Sequence, residues 1–123
     1  MIYVDQETFD IYLTRGDSAE IPFSVTKNGE PYDYSNDLVQ FTVKKNTLTE
    51  EIVIQKEITG PSVIFEPSDT EKLDYSSLVY DIQIITPDDK VYTVVGPSNF
   101  TLTEEVNFRV VYGSIIERVG DDS

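Results

Sequence analysis

The chain contains no cysteine and no histidine. Without cysteine there is no disulfide framework and no thiol chemistry. Without histidine the commonest general base and the commonest metal ligand are missing. No apolar run approaches the length of a membrane span. The N-terminal Met1-Ile2-Tyr3-Val4-Asp5 has neither the basic start nor the apolar centre of a secretory signal, so the expectation is synthesis and retention in the cytosol, or assembly there into something larger. No glycine-rich loop precedes a helix, which removes a phosphate cradle. Basic residues are scarce: nine Lys and Arg stand against 23 Asp and Glu, a net charge of −14. Such a charge repels phosphate backbones and anionic lipid, so nucleic acid and membranes are not expected partners. It also keeps many copies soluble when they are made together.

What is present suffices for one core. The 123 residues are 39% hydrophobic and 11% aromatic, enough for a single domain without a metal or disulfide. Helical periodicity is nearly absent. Phe9, Ile11 and Leu13 alternate with polar residues, as do Ile21, Phe23 and Val25, then Val39, Phe41 and Val43. Such alternation places one apolar set on one face of a sheet. Pro22 lacks a ladder donor, so its strand lies at an edge or carries a bulge. Ile52, Ile54, Lys56 and Ile58 suggest a fourth strand, Val63-Ile64-Phe65 a fifth, and Leu78, Tyr80, Ile82 and Ile84 a sixth. A seventh holds Val91, Thr93 and Val95 on one face with Tyr92 and Val94 on the other. Gly96-Pro97-Ser98 breaks it, and Phe100-Thr101-Leu102-Thr103 opens an eighth.

Turn chemistry punctuates these runs. Gly16-Asp17-Ser18 separates the first two, Asn28-Gly29 is a strong hairpin signal, and Pro87-Asp88-Asp89-Lys90 fits a type I turn. One helical turn near 68–74 is expected, with Ser68 capping and Glu71 reaching back. The pattern predicts an all-β fold, an antiparallel sandwich of about seven to eight strands. Its expected core is Ile11, Leu13, Ile21, Phe23, Val25, Phe41, Val43, Ile54, Phe65, Tyr80, Ile82, Ile84 and Phe100.

Catalysis is not expected. The acids lie mostly in turns and on polar strand positions, not as the cleft pair that glycoside hydrolysis needs. Asp88-Asp89 and Asp121-Asp122 lack the ligand spacing of a calcium loop and read as solvated turn acids. No cofactor or metal is therefore called for. Arg15-Gly16-Asp17 spells an adhesion tripeptide, but a turn already accounts for Gly16 and Asp17. The tyrosines (Tyr3, Tyr12, Tyr32, Tyr34, Tyr75, Tyr80, Tyr92 and Tyr112) could form a sugar platform or a protein interface, against the simpler reading as strand-end and cross-strand packing.

The segment Leu13-Thr14-Arg15-Gly16-Asp17-Ser18-Ala19-Glu20-Ile21-Pro22-Phe23 resembles the opening of the immunoglobulin-like N-terminal domain of phage baseplate upper proteins. The hairpin Asn28-Gly29-Glu30-Pro31-Tyr32-Asp33 is similar to the one that follows there. So are the strands Val39-Gln40-Phe41-Thr42-Val43-Lys44 and Tyr80-Asp81-Ile82-Gln83-Ile84, and the closing Gly96-Pro97-Ser98-Asn99-Phe100-Thr101-Leu102. The likeness spans residues 9–106. It departs where family members continue into a long fibre or coiled region, since this sequence stops at Ser123.

The resemblance implies an immunoglobulin-like sandwich over residues 1–106 in a virion protein of a phage or prophage of a Gram-positive host, assembled in the bacterial cytoplasm. The function it implies is non-enzymatic: a tail or baseplate adaptor attaching one virion component to another. A capsid decoration or head-fibre protein and a carbohydrate-binding module are the alternatives. Implied partners are other phage structural proteins and further copies of this chain in the particle, with a host-surface glycan as a further candidate. Residues 107–123 form a C-terminal strand or an assembly arm. Two outcomes stand open for it: a strand on the chain's own sheet, or strand addition to a neighbour. The candidate assembly interface is Tyr3, Phe108, Val110, Tyr112, Ile115 and Ile116.

Overall fold

A computed structural model describes residues 2–74 and 77–103, and the backbone of 115–119. Its strands are β1 (Ile2–Val4), β2 (Ile11–Thr14), β3 (Ala19–Lys27), β4 (Glu30–Pro31), β5 (Leu38–Lys44), β6 (Ile52–Glu57), β7 (Ser62–Phe65), β8 (Ser77–Ile85), β9 (Val91–Thr103) and β10 (Ile115–Val119). One helical turn, α1 (Pro67–Thr70), sits between β7 and β8. A six-stranded sheet runs β1-β2-β9-β8-β5-β6, and β3 organises the second sheet with β4, β7 and β10. The set β9-β8-β5, extended by β6 and faced by the β3–β7 pair, is the strand arrangement of an immunoglobulin-like sandwich.

The alternating apolar sets meet between the sheets. Every core residue expected from the pattern is buried, joined by Val4, Val39, Ile58, Val63, Leu78, Val94, Val95 and Leu102. The centre is aromatic. Phe41 of β5 stacks on Tyr80 of β8 at 4.8 Å, and Phe65 crosses from β7 to meet the Phe41 ring edge-on at 5.4 Å. Phe100 of β9 closes the group, 5.7 Å from Phe65. Offset and edge-to-face contacts of this kind add to what area burial alone contributes.

The strand list differs from the sequence expectation in three ways. First, pairing is mixed, because β2 lies parallel to β9 and β10 parallel to β3. After Thr14 the chain turns and crosses to the other sheet, so β2 pairs with β1 and β9 and leaves β3 to β4, β7 and β10. Second, Gly96-Pro97-Ser98 does not end a strand, and β9 runs unbroken through it. Tyr80 and Ile82 of β8 face Ser98 and Val95, so one residue too many is absorbed as a bulge. Gly96 makes this possible with φ +98; a Cβ there would stand 2.6 Å from the Tyr80 carbonyl oxygen. A second register shift follows, with Gln83 opposite Thr93. Val94 and Val95 are consequently both buried, where strict alternation would expose one. Third, β1 and β4 are additional short strands, while β10 falls within the segment expected as a C-terminal strand or arm.

The helical turn also begins earlier than expected. Pro67 occupies its first turn and Glu66, not Ser68, is the N-cap. Proline is pre-organised there and loses no useful donor. Asp69 Oδ2 accepts the Glu66 amide at 2.7 Å. Pro22 sits opposite Ser62 on β7, and the next amide, Phe23, donates to the Pro61 carbonyl at 2.7 Å. Alternate amides point to opposite sides of a strand. The missing Pro22 donor therefore faces away from β7, on the side where β10 begins only at Phe23.

Candidate functional site

The Arg15-Gly16-Asp17 segment is a junction between elements. Arg15 N–H donates to the Thr103 carbonyl at 2.7 Å, Gly16 N–H to Thr70 Oγ1 at 2.8 Å, and Asp17 N–H to the Thr14 carbonyl at 3.1 Å. The turn thereby ties β2, β9 and α1 together, and Thr70 is fully buried beneath it. Asn28 and Gly29 both have positive φ, 54° and 79°, between the paired Lys27 and Glu30. That is the two-residue type I′ hairpin whose twist suits flanking strands.

Of the candidate assembly residues, Tyr3 lies on the edge strand β1, half-buried, with its ring stacked on Tyr12 at 5.8 Å. Ile115 and Ile116 belong to β10, whose backbone sits opposite Phe23 and Ser24 of the other sheet. Phe108, Val110 and Tyr112 lie outside the described residues, as do Tyr75 and the Asp121-Asp122 pair. Among the described residues, no group of three or more acidic, His or Cys side chains is placed to hold a metal ion.

Two surfaces stand out. One is the flank between β6 and β7. Among the described residues β6 ends its sheet, and β7 pairs only with β3. Ile58 N–H donates to Val39 and Phe23 N–H to Pro61, which sets the alternation along both strands. Gln55 and Glu57 of β6 and Ser62 and Ile64 of β7 therefore direct their backbone polar groups outward. A hollow of about 380 Å³ lies between them, and Ile64 is 55% exposed. Lys56 is one of the hollow's lining residues, with Nζ 2.8 Å from Asp69 Oδ2 and 5.7 Å from the Phe65 ring centre.

The other surface is a cleft of about 540 Å³ at the mouth of the sandwich, where the β3–β4 and β8–β9 turns converge. In immunoglobulin variable domains this is the end that carries the binding loops. Tyr92 is the cross-strand partner of Ile84 and so shares its face of the sheet, yet Ile84 is buried and Tyr92 is 46% exposed. Tyr32 forms another part of the wall. Its hydroxyl donates to Asp37 Oδ2 at 2.5 Å, and this bond, with burial and nearby negative charge, pushes the phenol up to about 12. Lys27, at the end of β3, and Lys90, in the β8–β9 turn, both line the cleft. Among the described residues Asp88 is the carboxylate that lines it. It accepts from the Thr86 hydroxyl, which holds it below the usual carboxylate range, and lies 3.6 Å from Lys90 Nζ.

The β8–β9 turn has its own logic. Asp89 N–H donates to the Thr86 carbonyl at 2.9 Å, and Asp89 has φ +64. A type I turn followed by one left-handed residue closes a three-residue hairpin loop. In the sequence Tyr32 and Tyr92 are two of eight tyrosines and Lys90 is a turn residue. The signal that joins them, two turn motifs at one end of the molecule, exists only once the strand order is known.

The chain matches no family model, and neither a curated protein nor a solved structure matches it.

Proposed function

We propose that this chain is a non-enzymatic structural protein of a phage virion, an adaptor of the tail or baseplate that attaches one component to another. The observation that carries this reading is the open β6–β7 flank, whose outward backbone donors and acceptors suit an added strand from a neighbouring component. The baseplate-like segments supply the virion context, since they fall on β2, β3, β5, β8 and β9, the frame of the sandwich. A second reading, a carbohydrate-binding module on the same fold, draws on the aromatic cleft at the mouth.

The test is immunogold labelling of particles from a culture of the bacterium that carries the gene. Label at the tail end is expected. Label over the head would make the chain a capsid decoration protein, and unlabelled particles would end the virion reading.

A further inference from the structure

We propose that the mouth cleft binds a short anionic saccharide, its pyranose ring stacked on Tyr92 and its acid group held between Lys27 and Lys90. This inference rests on the carbohydrate-binding reading and names the ligand class.

The stacking half follows from Tyr92. This ring lies on the core-facing side of the six-stranded sheet, in register with buried Ile84, but no strand covers it among the described residues. An inner-face aromatic nearly half open to solvent is an apolar platform at the edge of a cleft. A pyranose presents a matching surface, one flat face of C–H bonds edged by hydroxyls. Tyr32 stiffens the opposite part of the wall, because its hydroxyl is already committed to Asp37.

The acidic half follows from the balance of donors and acceptors. Two ammonium groups offer three N–H donors each and accept nothing. Among the described residues Asp88 is the lining carboxylate; it is engaged by the Thr86 hydroxyl and faces Lys90, while Asp37 behind the lining is engaged by the Tyr32 hydroxyl. Both kinds of sugar oxygen can accept from these ammonium groups, but a charge-assisted bond to an acid group is roughly twice as strong as one to a neutral hydroxyl, which favours the acid. The location supports this, because the chain has only nine cations against 23 acids and two of those cations meet here. At physiological salt the field of acids beyond about 8 Å is screened, and two nearer carboxylates, Asp88 and Asp37, are already hydrogen-bonded to Thr86 and Tyr32. An acidic peptide would meet the same charges, but Tyr92 offers it a ring face rather than a strand edge for its backbone.

The whole chain is titrated with glucuronic acid, glucose 6-phosphate, glucose and a tetra-glutamate peptide. Binding is read by tyrosine fluorescence, usable because the chain has no tryptophan. Both anionic sugars are expected to bind, more weakly as salt rises. Tyr92→Ala and Lys27→Met, both at exposed positions, should each reduce affinity about tenfold while the urea unfolding midpoint stays put. Binding by glucuronic acid alone assigns the site to sugar carboxylates, and by glucose 6-phosphate alone to sugar phosphates; either upholds the class. Glucose binding as tightly as the acids would overturn the anionic assignment and leave the sugar reading standing. Binding of the peptide without the sugars, or of none of the probes, would overturn both.

Discussion

The amide of Gly16 donates to the hydroxyl oxygen of Thr70 at 2.8 Å, joining residues 54 positions apart. Gly16 sits in the turn that carries the chain between sheets, and Thr70 ends the helical turn α1, far along the sequence. Thr70 is fully buried, so the bond is shielded from water.

That bond should be measurable in stability. Thr70→Val keeps the shape but removes the acceptor, leaving a shielded donor unmet, at a cost of about 1–3 kcal/mol. Gly16→Ala should cost about 1–2 kcal/mol from its φ of +82 alone, because the added Cβ would meet only Glu71 Cβ at an ordinary 3.7 Å. Asp17→Ala should cost less than either. Urea unfolding curves rank the three, and a larger loss for Asp17→Ala would contradict the account of the turn.

Two glycines with similar backbone angles should behave differently. Gly29 and Gly96 both have positive φ, but nothing lies within 4 Å of a Cβ at Gly29, whereas one at Gly96 would meet Tyr80 backbone oxygen at 2.6 Å. Gly29→Ala should cost about 1 kcal/mol, the left-handed penalty alone. Gly96→Ala must also push β9 away from β8, and should cost roughly 3 kcal/mol or more, in the range of a strained core change. Equal thermal shifts for the two variants would argue against the bulge as the reason for Gly96.

Protonation offers a third check. The Tyr32 phenol is raised from 10.0 to about 12, so the folded state holds its proton more tightly than the unfolded chain. Its contribution to stability is fully present below pH 10 and is lost as pH rises through about 12. Ultraviolet titration should show one tyrosine ionising late, and Asp37→Asn should bring it earlier, since Asp37 is the main cause. Asp81 is also raised, by burial on the outer face of β8, with Lys44 only partly offsetting it. Its ionised form is therefore a cost to folding above the unfolded carboxylate pKa. Asp81→Asn should stabilise the protein near pH 7 and have a shrinking effect as pH falls toward 3.8, which chemical unfolding at the two pH values would detect.

Alternation by itself determines most of the core. Phe23, Phe41, Tyr80 and Phe100 could be assigned to one interior because a strand repeats every two residues and a polar slip would be costly. The Asn28-Gly29 hairpin was equally legible, since few dipeptides tolerate two consecutive positive φ values. These features depend on residues close in the chain, and local sterics are written locally. The bulge at Gly96 reads as a strand end for the opposite reason: a glycine-proline pair looks like a break until a partner strand demands the extra residue. The parallel pairing of β2 with β9, the docking of Gly16 on Thr70 and the exposure of Tyr92 beside buried Ile84 belong to the same class. Each depends on which distant segment lies alongside. Tyr92 and Ile84 have the same strand phase, and only the point at which the opposing sheet stops covering them decides that one is core and the other is cleft.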